Sequence, residues 1–349
     1  MVPTLGTHAR NRPSGFPVLH PDGTSPPRNR NRFRGFLLVM PASTLRARMR
    51  SLLHALFLVF SAAAGLPAVI GAVPAVEHVV VIGCDGMGSL AFTETNAPVM
   101  HRLMREGAHT LRARGVMPTS SSPNWASMIM GAGPEQHGVT SNDWLTNKFE
   151  IPALEVGPEG MFPTLFRVIR EQRPASKIVC VHDWDGFGRL FERGAADHIA
   201  WVKGSPNTAE HVIGAIKERK PTFTFIHFDD VDHAGHSFNW KSPTYYKAVE
   251  LVDGLIGDVL KAVDDAGMGG KTLVLITADH GGIGTKHGGP TIEELEIPWI
   301  IHGPGVAKGK VIGSPVNTYD TAATIAWVFG LKPPAVWIGK PVTDAFTTR

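Results

Sequence analysis

The sequence predicts an α/β fold, a three-layer sandwich with a mostly parallel central sheet and helices on both faces, and three observations predict it. His78-Val79-Val80-Val81-Ile82-Gly83 is a short, wholly apolar, β-branched run, as a central parallel strand buried on both faces requires. Similar runs recur at 177–181, 222–228, 272–277 and 298–302, and segments of helical period alternate with them, which is the order of a helix-covered parallel sheet. With 349 residues, 43% of them hydrophobic, the chain can bury a large core, and collagen, coiled-coil and disulfide-stapled classes are excluded.

The elements follow in order. After the first strand a helix is expected from Asn96, with Pro98 in its first turn and Gly107 past its end. The hydroxyl-rich segment Pro118-Thr119-Ser120-Ser121-Ser122-Pro123 leads into a helix over 124–130. Helical periods follow at 162–171, 208–219, 243–266 and 319–329. The stretch 138–200 is less regularly patterned, with five glycines between 157 and 194, and is expected to form a small cap over the site. The folded domain is expected over 76–349.

The net charge of +3 misleads about partners. Residues 1–50 carry +8, and residues 76–349 carry −5. The body is mildly acidic, so nucleic-acid binding is not expected. Residues 1–39, rich in Pro and Arg, are expected to be unstructured or an extension ahead of the true start at Met40. Residues 40–75 resemble a secretory signal: Arg46, Arg48 and Arg50, then an uncharged apolar stretch over 52–73, then Ala72-Val73-Pro74-Ala75. Cleavage there places the body in the periplasm or outside the cell; the alternative is a membrane anchor formed by residues 52–73. In that oxidising setting Cys84 and Cys180 either pair or remain two buried thiols. The sequence does not give the oligomeric state.

In open parallel sheets, ligands bind beyond the carboxyl ends of the strands. Here the first strand ends at Asp85, the 222–228 run ends in Asp229-Asp230-Val231-Asp232-His233-Ala234-Gly235-His236, and the 272–277 run ends in Asp279-His280, with His287 shortly beyond. Carboxylate and imidazole in this mixture are ligands for Zn²⁺ or a similar first-row ion, and their number suits two ions. A lone strand-terminal Asp is commonly a turn former or helix cap; the joint occurrence at three strand ends argues for a site. The serines at the start of the 124–130 helix lie where backbone N–H groups and the helix dipole favour an anion, and metal coordination would lower a hydroxyl's pKa enough to make it a nucleophile. A nucleophile, two cations and an anion-binding helix end are the parts for attack on phosphorus.

These residues resemble the alkaline phosphatase superfamily and, within it, the type I phosphodiesterase/nucleotide pyrophosphatase family, over nearly all of 78–346. The marks are Asp85, the Pro118–Asn124 loop, Gly131 to Gly138 with Pro134, Glu135 and His137, Asp232-x-x-Gly-His236, and Asp279-His280-Gly281. The resemblance implies an alkaline-phosphatase-like fold and Ser121 as nucleophile. Asp85, Ser121, Asp279 and His280 would hold a first ion, and Asp232, His236 and His287 a second. It also implies that Asn124 donates to a phosphoryl oxygen. His287 departs from the family spacing, in which the last ligand lies far downstream, and His302 is the fallback. The ions would be Zn²⁺, with Mn²⁺ as the alternative.

Trp125 and Trp144, with Trp184 and Trp240, are candidates for an aromatic wall around a leaving group, against core packing for each singly. His137 is expected to be structural. The implied activity is phosphodiester or nucleotide pyrophosphate hydrolysis through a phosphoserine. The alternatives are a phosphomonoesterase, a phosphonate hydrolase, a sulfatase and a non-catalytic binding module. The sulfatase reading lacks its C/S-x-P-x-R loop, since Trp125 stands where Arg would.

Overall fold

The computed structural model describes Val73 and residues 75–347, so the N-terminal extension, the signal and the alternative anchor, up to Val73, lie outside the described residues. Strands β1 (His78–Cys84), β2 (Ala108–Arg114), β3 (Ile178–His182), β4 (His198–Trp201), β5 (Phe223–Phe228), β6 (Thr272–Thr277), β7 (Glu296–His302) and β8 (Lys310–Val311) form one eight-stranded sheet. Its order is β4-β3-β5-β1-β6-β7-β2-β8. Pairing is parallel from β4 through β6, and β7 runs antiparallel to both β6 and β2.

Every residue of β5 and β6 is buried, which explains their largely apolar character. Helices α1 (Pro98–Glu106), α4 (Ser205–Arg219), α5 (Asp230–Phe238) and α6 (Pro243–Asp265) pack with one another in one layer. Helices α2 (Ser121–Met130), α3 (Leu165–Gln172) and α7 (Asp320–Val328) pack together in the other. The expected three-layer α/β architecture is therefore present.

Four local expectations differ. The segment 138–200 is not a separate cap, because α3, β3 and β4 all belong to the sandwich and only its first part is irregular. Helix α2 begins at Ser121, three residues earlier than expected, so the serine lies in its first turn. Three strands were not legible: β2, interrupted by His109, Arg112 and Arg114, the four-residue edge strand β4, and the two-residue β8 at the other edge. Helix α5 also lacks a signal, since Asp-Val-Asp-His-Ala-Gly-His has little apolar period and only Val231, Ala234 and Gly235 are buried.

Cys84 on β1 and Cys180 on β3 are both buried free thiols, separated by β5. Among the described residues no helix is long and apolar enough to cross a membrane.

Candidate active site

The three central strands β5-β1-β6 end level with one another, Gly83 being paired to His227 on one side and to Thr277 on the other. The polar residues that follow each strand therefore meet. Asp85, Asp279 and His280 converge with one ligand atom from each within 4.8 Å, and Asp232, His236 and His287 do the same.

Two glycines make this convergence sterically feasible. A Cβ on Gly83 would lie 2.5 Å from the Trp125 ring, so only glycine lets that indole lie across β1. Gly86, at φ +69°, turns the chain so closely that a Cβ would meet Asp232 at 2.7 Å. Its carbonyl accepts from Trp240 Nε1 at 2.9 Å and Tyr245 Oη at 3.1 Å, which fixes the turn.

The histidines are oriented by backbone carbonyls. His236 Nδ1 lies 2.9 Å from Thr285 O, His280 Nδ1 2.8 Å from Gly281 O, and His287 Nδ1 2.8 Å from Thr119 O. A carbonyl only accepts, so each Nδ1 carries a proton, and in the neutral ring it is Nε2 that presents a lone pair. With both rings neutral, His236 Nε2 and His287 Nε2 face each other at 3.1 Å with no proton between them. Two lone pairs held that close repel unless a cation sits between them.

The carboxylates show the same frustration. Asp85 Oδ1, Asp232 Oδ1 and Asp279 Oδ2 are buried without a hydrogen-bond partner, at 3.5, 3.9 and 3.1 Å respectively from His280 Nε2, His287 Nε2 and His280 Nε2. Buried polar atoms are ordinarily satisfied. Burial and the Asp85 charge push Asp232 and Asp279 well above the usual carboxylate range. Burial works in the same direction on Asp85, but the hydrogen bonds it accepts from His227 and from the Trp125 N–H bring it below that range. Burial, helped by His287, takes His280 down to about 3, so it stays neutral and able to ligate. This donor set fits two divalent cations.

Ser121 Oγ lies 3.3 Å from His280 Nε2, beside the first group. The nucleophile loop is tied to the His287 loop through Thr119, whose Oγ1 donates to Gly289 O at 2.6 Å and accepts from Gly288 N at 3.1 Å. His287 is thus brought to the second group. His302 is not, because antiparallel β7 pairs it with Val274, away from the carboxyl end of β6.

Asn124 does not point into the site, contrary to the role the resemblance implies. It is fully buried, its Nδ2 donating to Val116 O, Pro118 O and Ser120 O and its Oδ1 accepting from Val116 N. The carboxamide is consumed in holding the nucleophile loop, which wraps around it.

The aromatic wall is corrected as well. Trp125 is fully buried, edge-on to Phe187, Phe225 and His227, and Trp144 is also buried. Trp240 packs beneath His236 and His287. Half-buried Trp184 lies under the Arg189 guanidinium at 5.6 Å.

Sequence reasoning missed two groups, His227 and Asn142. His227 Nε2 donates to Asp85 Oδ2 at 3.1 Å, and Trp125 Nε1 donates to the same oxygen at 3.0 Å. A histidine inside the buried run Phe-Thr-Phe-Ile-His-Phe was the available signal, since it must find a polar partner. Asp229 lies close to this pair, and burial, with the Asp85 charge, pushes it up to about 7. Asn142, in the irregular segment, accepts from Ser122 N at 2.8 Å, next to the nucleophile.

Trp125 and His227 together occupy Asp85 Oδ2 and leave Oδ1 for a cation. Trp125→Phe keeps the ring and loses the N–H. Its expected result is a roughly 10–100-fold weaker affinity for one of two ions, with the fold retained, read by metal titration and circular dichroism.

The His137 ring is buried, with Nδ1 accepting from Val139 N at 3.0 Å and Nε2 2.9 Å from Ser127 Oγ on helix α2. Burial takes it down to about 3, so it is a neutral brace behind the nucleophile helix.

A family model described as "Type I phosphodiesterase / nucleotide pyrophosphatase" matches residues 79–159 and 160–295. Ectonucleotide pyrophosphatase/phosphodiesterase family member 1 of Homo sapiens is 24% identical over 200 residues, covering 53% of this chain and 21% of that protein. GPI ethanolamine phosphate transferase 1 of Yarrowia lipolytica is 24% identical over 260 residues, covering 64% of this chain and 27% of that protein. The chain spans about a fifth to a quarter of the length of these curated relatives. Among solved structures, murine ectonucleotide pyrophosphatase/phosphodiesterase 5 (inactive T72A, in complex with AMP) matches with a TM-score of 0.64 and 16% identity, over 78% of this chain and 100% of that one. The wild-type alkaline phosphatase PafA matches with a TM-score of 0.66 and 13% identity, over 79% and 100%.

Proposed function

Because this chain belongs to the type I phosphodiesterase / nucleotide pyrophosphatase family, we propose that it is an exported hydrolase of phosphodiester or nucleotide pyrophosphate bonds acting through a phosphoserine on Ser121. The observation that carries the reading is the approach of His236 Nε2 and His287 Nε2 to 3.1 Å, in the same pocket as unpartnered carboxylate oxygens and the Ser121 hydroxyl. Asp85, Ser121, Asp279 and His280 would hold one divalent ion, and Asp232, His236 and His287 the other. Zn²⁺ suits the mixed imidazole and carboxylate set, with Mn²⁺ as the alternative. Bound ions of this kind supply positive charge for the attacking and leaving oxygens.

The chain's own residues do the rest. Ser121 stands in the first turn of α2, where the helix dipole favours an anion. Its Oγ attacks phosphorus in line, the bond to the leaving oxygen breaks, and that oxygen departs with a proton. Water then attacks the phosphoserine from the opposite side and returns Ser121, so two inversions give retention at phosphorus. Asn142, pinned through its Oδ1 by Ser122 N–H, replaces Asn124 as the side-chain donor to a phosphoryl oxygen. Residues 40–75, read as an export signal, would place this chemistry outside the cytoplasm.

A second reading has a specific observation behind it. The Arg189 guanidinium donates to the carbonyl of Asn142, beside the proposed phosphoryl donor. A cation there would neutralise the extra charge of a phosphate monoester. Rates on bis-p-nitrophenyl phosphate, p-nitrophenyl phosphate and p-nitrophenyl sulfate separate the readings. The diester is expected to be turned over fastest, and Arg189→Ala to lower the monoester rate more than the diester rate. A dominant sulfate rate overturns the proposal.

A further inference from the structure

A second His–His juxtaposition lies outside the catalytic cluster. His198 opens the edge strand β4, at the end of that strand remote from the site-facing Trp201 terminus, and His211 lies on α4, the helix that follows. Their Nε2 atoms are 2.9 Å apart and their rings are 11° from parallel. The separation resembles the 3.1 Å between His236 and His287. With metal–nitrogen bonds of about 2.0–2.1 Å, it is the spacing of two adjacent ligands on one ion.

The same recess also holds a carboxylate, Glu218, whose oxygens are not drawn together with the two rings as the catalytic ligand atoms are and would have to turn towards them. Glu218 is two helical turns beyond His211, on the same face of α4, and it lines the same open recess of about 510 Å³ as both histidines. Its charge acts on His198, which burial and the neighbouring Arg219 and His211 push downwards. Glu218 is paired at 3.4 Å only with its neighbour Arg219, an exposed pair of little strength that a divalent ion can displace.

We propose that His198, His211 and Glu218 form a separate surface site for a borderline transition-metal ion such as Zn²⁺, clipping the edge strand β4 to helix α4. Imidazole suits such ions over Mg²⁺ or Ca²⁺. Edge strands need covering, and a clip that exists only in the folded chain stabilises it by mass action. The site stands apart from the hydrolytic reading and does not depend on it.

The test is equilibrium dialysis of the full-length protein against Zn²⁺, with bound metal counted per chain. The wild type is expected to bind one equivalent more than His211→Ala and than His198→Ala. The difference should persist in an Asp232→Asn background, which separates it from the catalytic groups. Both single variants are expected to hydrolyse bis-p-nitrophenyl phosphate at the wild-type rate, and His211 is exposed, so its replacement leaves the fold intact. Mg²⁺ in place of Zn²⁺ should give no difference. Equal Zn²⁺ isotherms for wild type and both variants would reduce the pair to an imidazole–imidazole hydrogen bond and overturn the proposal.

Discussion

Ser121→Ala is expected to lower bis-p-nitrophenyl phosphate turnover on the order of 10³-fold or more while leaving bound metal near the wild-type level. The side chain is small, buried and engaged only by the 3.3 Å contact with His280, so its loss removes the attacking oxygen without opening the core. The neighbouring serines supply the control. Ser122 Oγ is wholly buried without a partner, and its backbone N–H is bound to Asn142. Ser120 is the N-cap of α2, makes no side-chain cap bond, and its replacement by alanine should leave turnover within a few-fold. Acid-quenched wild-type enzyme should carry phosphoserine at residue 121, and the alanine variant none. Wild-type turnover by Ser121→Ala, or a label on Ser120, would exclude the covalent route as drawn.

Much of the architecture was legible because the core strands carry no ambiguity. A strand buried on both faces is largely apolar, so β1, β5 and β6 announce themselves, and the first charged residue after each marks the site-facing end. Elements whose character comes from tertiary context were silent. Helix α5 buries only Val231, Ala234 and Gly235, and edge strand β4 is too short to show a period.

At the site, the ligand types were legible because Asp and His after apolar runs have few other uses in such numbers. Their partners were not. A sequence cannot show that Asn124 turns back into its own loop, or that Trp125 spends its N–H on Asp85, because both depend on how 115–120 and β1 pack around them. The same limit hid His227 and Asn142, each of which reaches the site only through a hydrogen bond to a residue far along the chain or across a loop.

Removing divalent metal should cost both activity and stability, with a pH dependence of definite sign. Asp232 and Asp279 have native pKa values raised above their unfolded ones, by burial first and then by the Asp85 charge. Their contribution in the metal-free protein is therefore complete below the unfolded value of about 4 and is lost as pH rises through the native values. Added Zn²⁺ displaces those protons and satisfies the ionised oxygens, so the rise in Tm on adding Zn²⁺ should be larger near pH 8 than near pH 5.5, and calorimetry should detect proton release. Asp279→Asn inverts the balance: it removes a buried carboxylate that repels Asp85 and Asp232. The metal-free variant is expected to melt roughly 2–5 °C above metal-free wild type near pH 8, to gain less from Zn²⁺, and to lose turnover by about 10²-fold or more. A metal-free wild type that is as stable as the variant at high pH, and indifferent to Zn²⁺, would mean that the carboxylates converge for packing and not for cations.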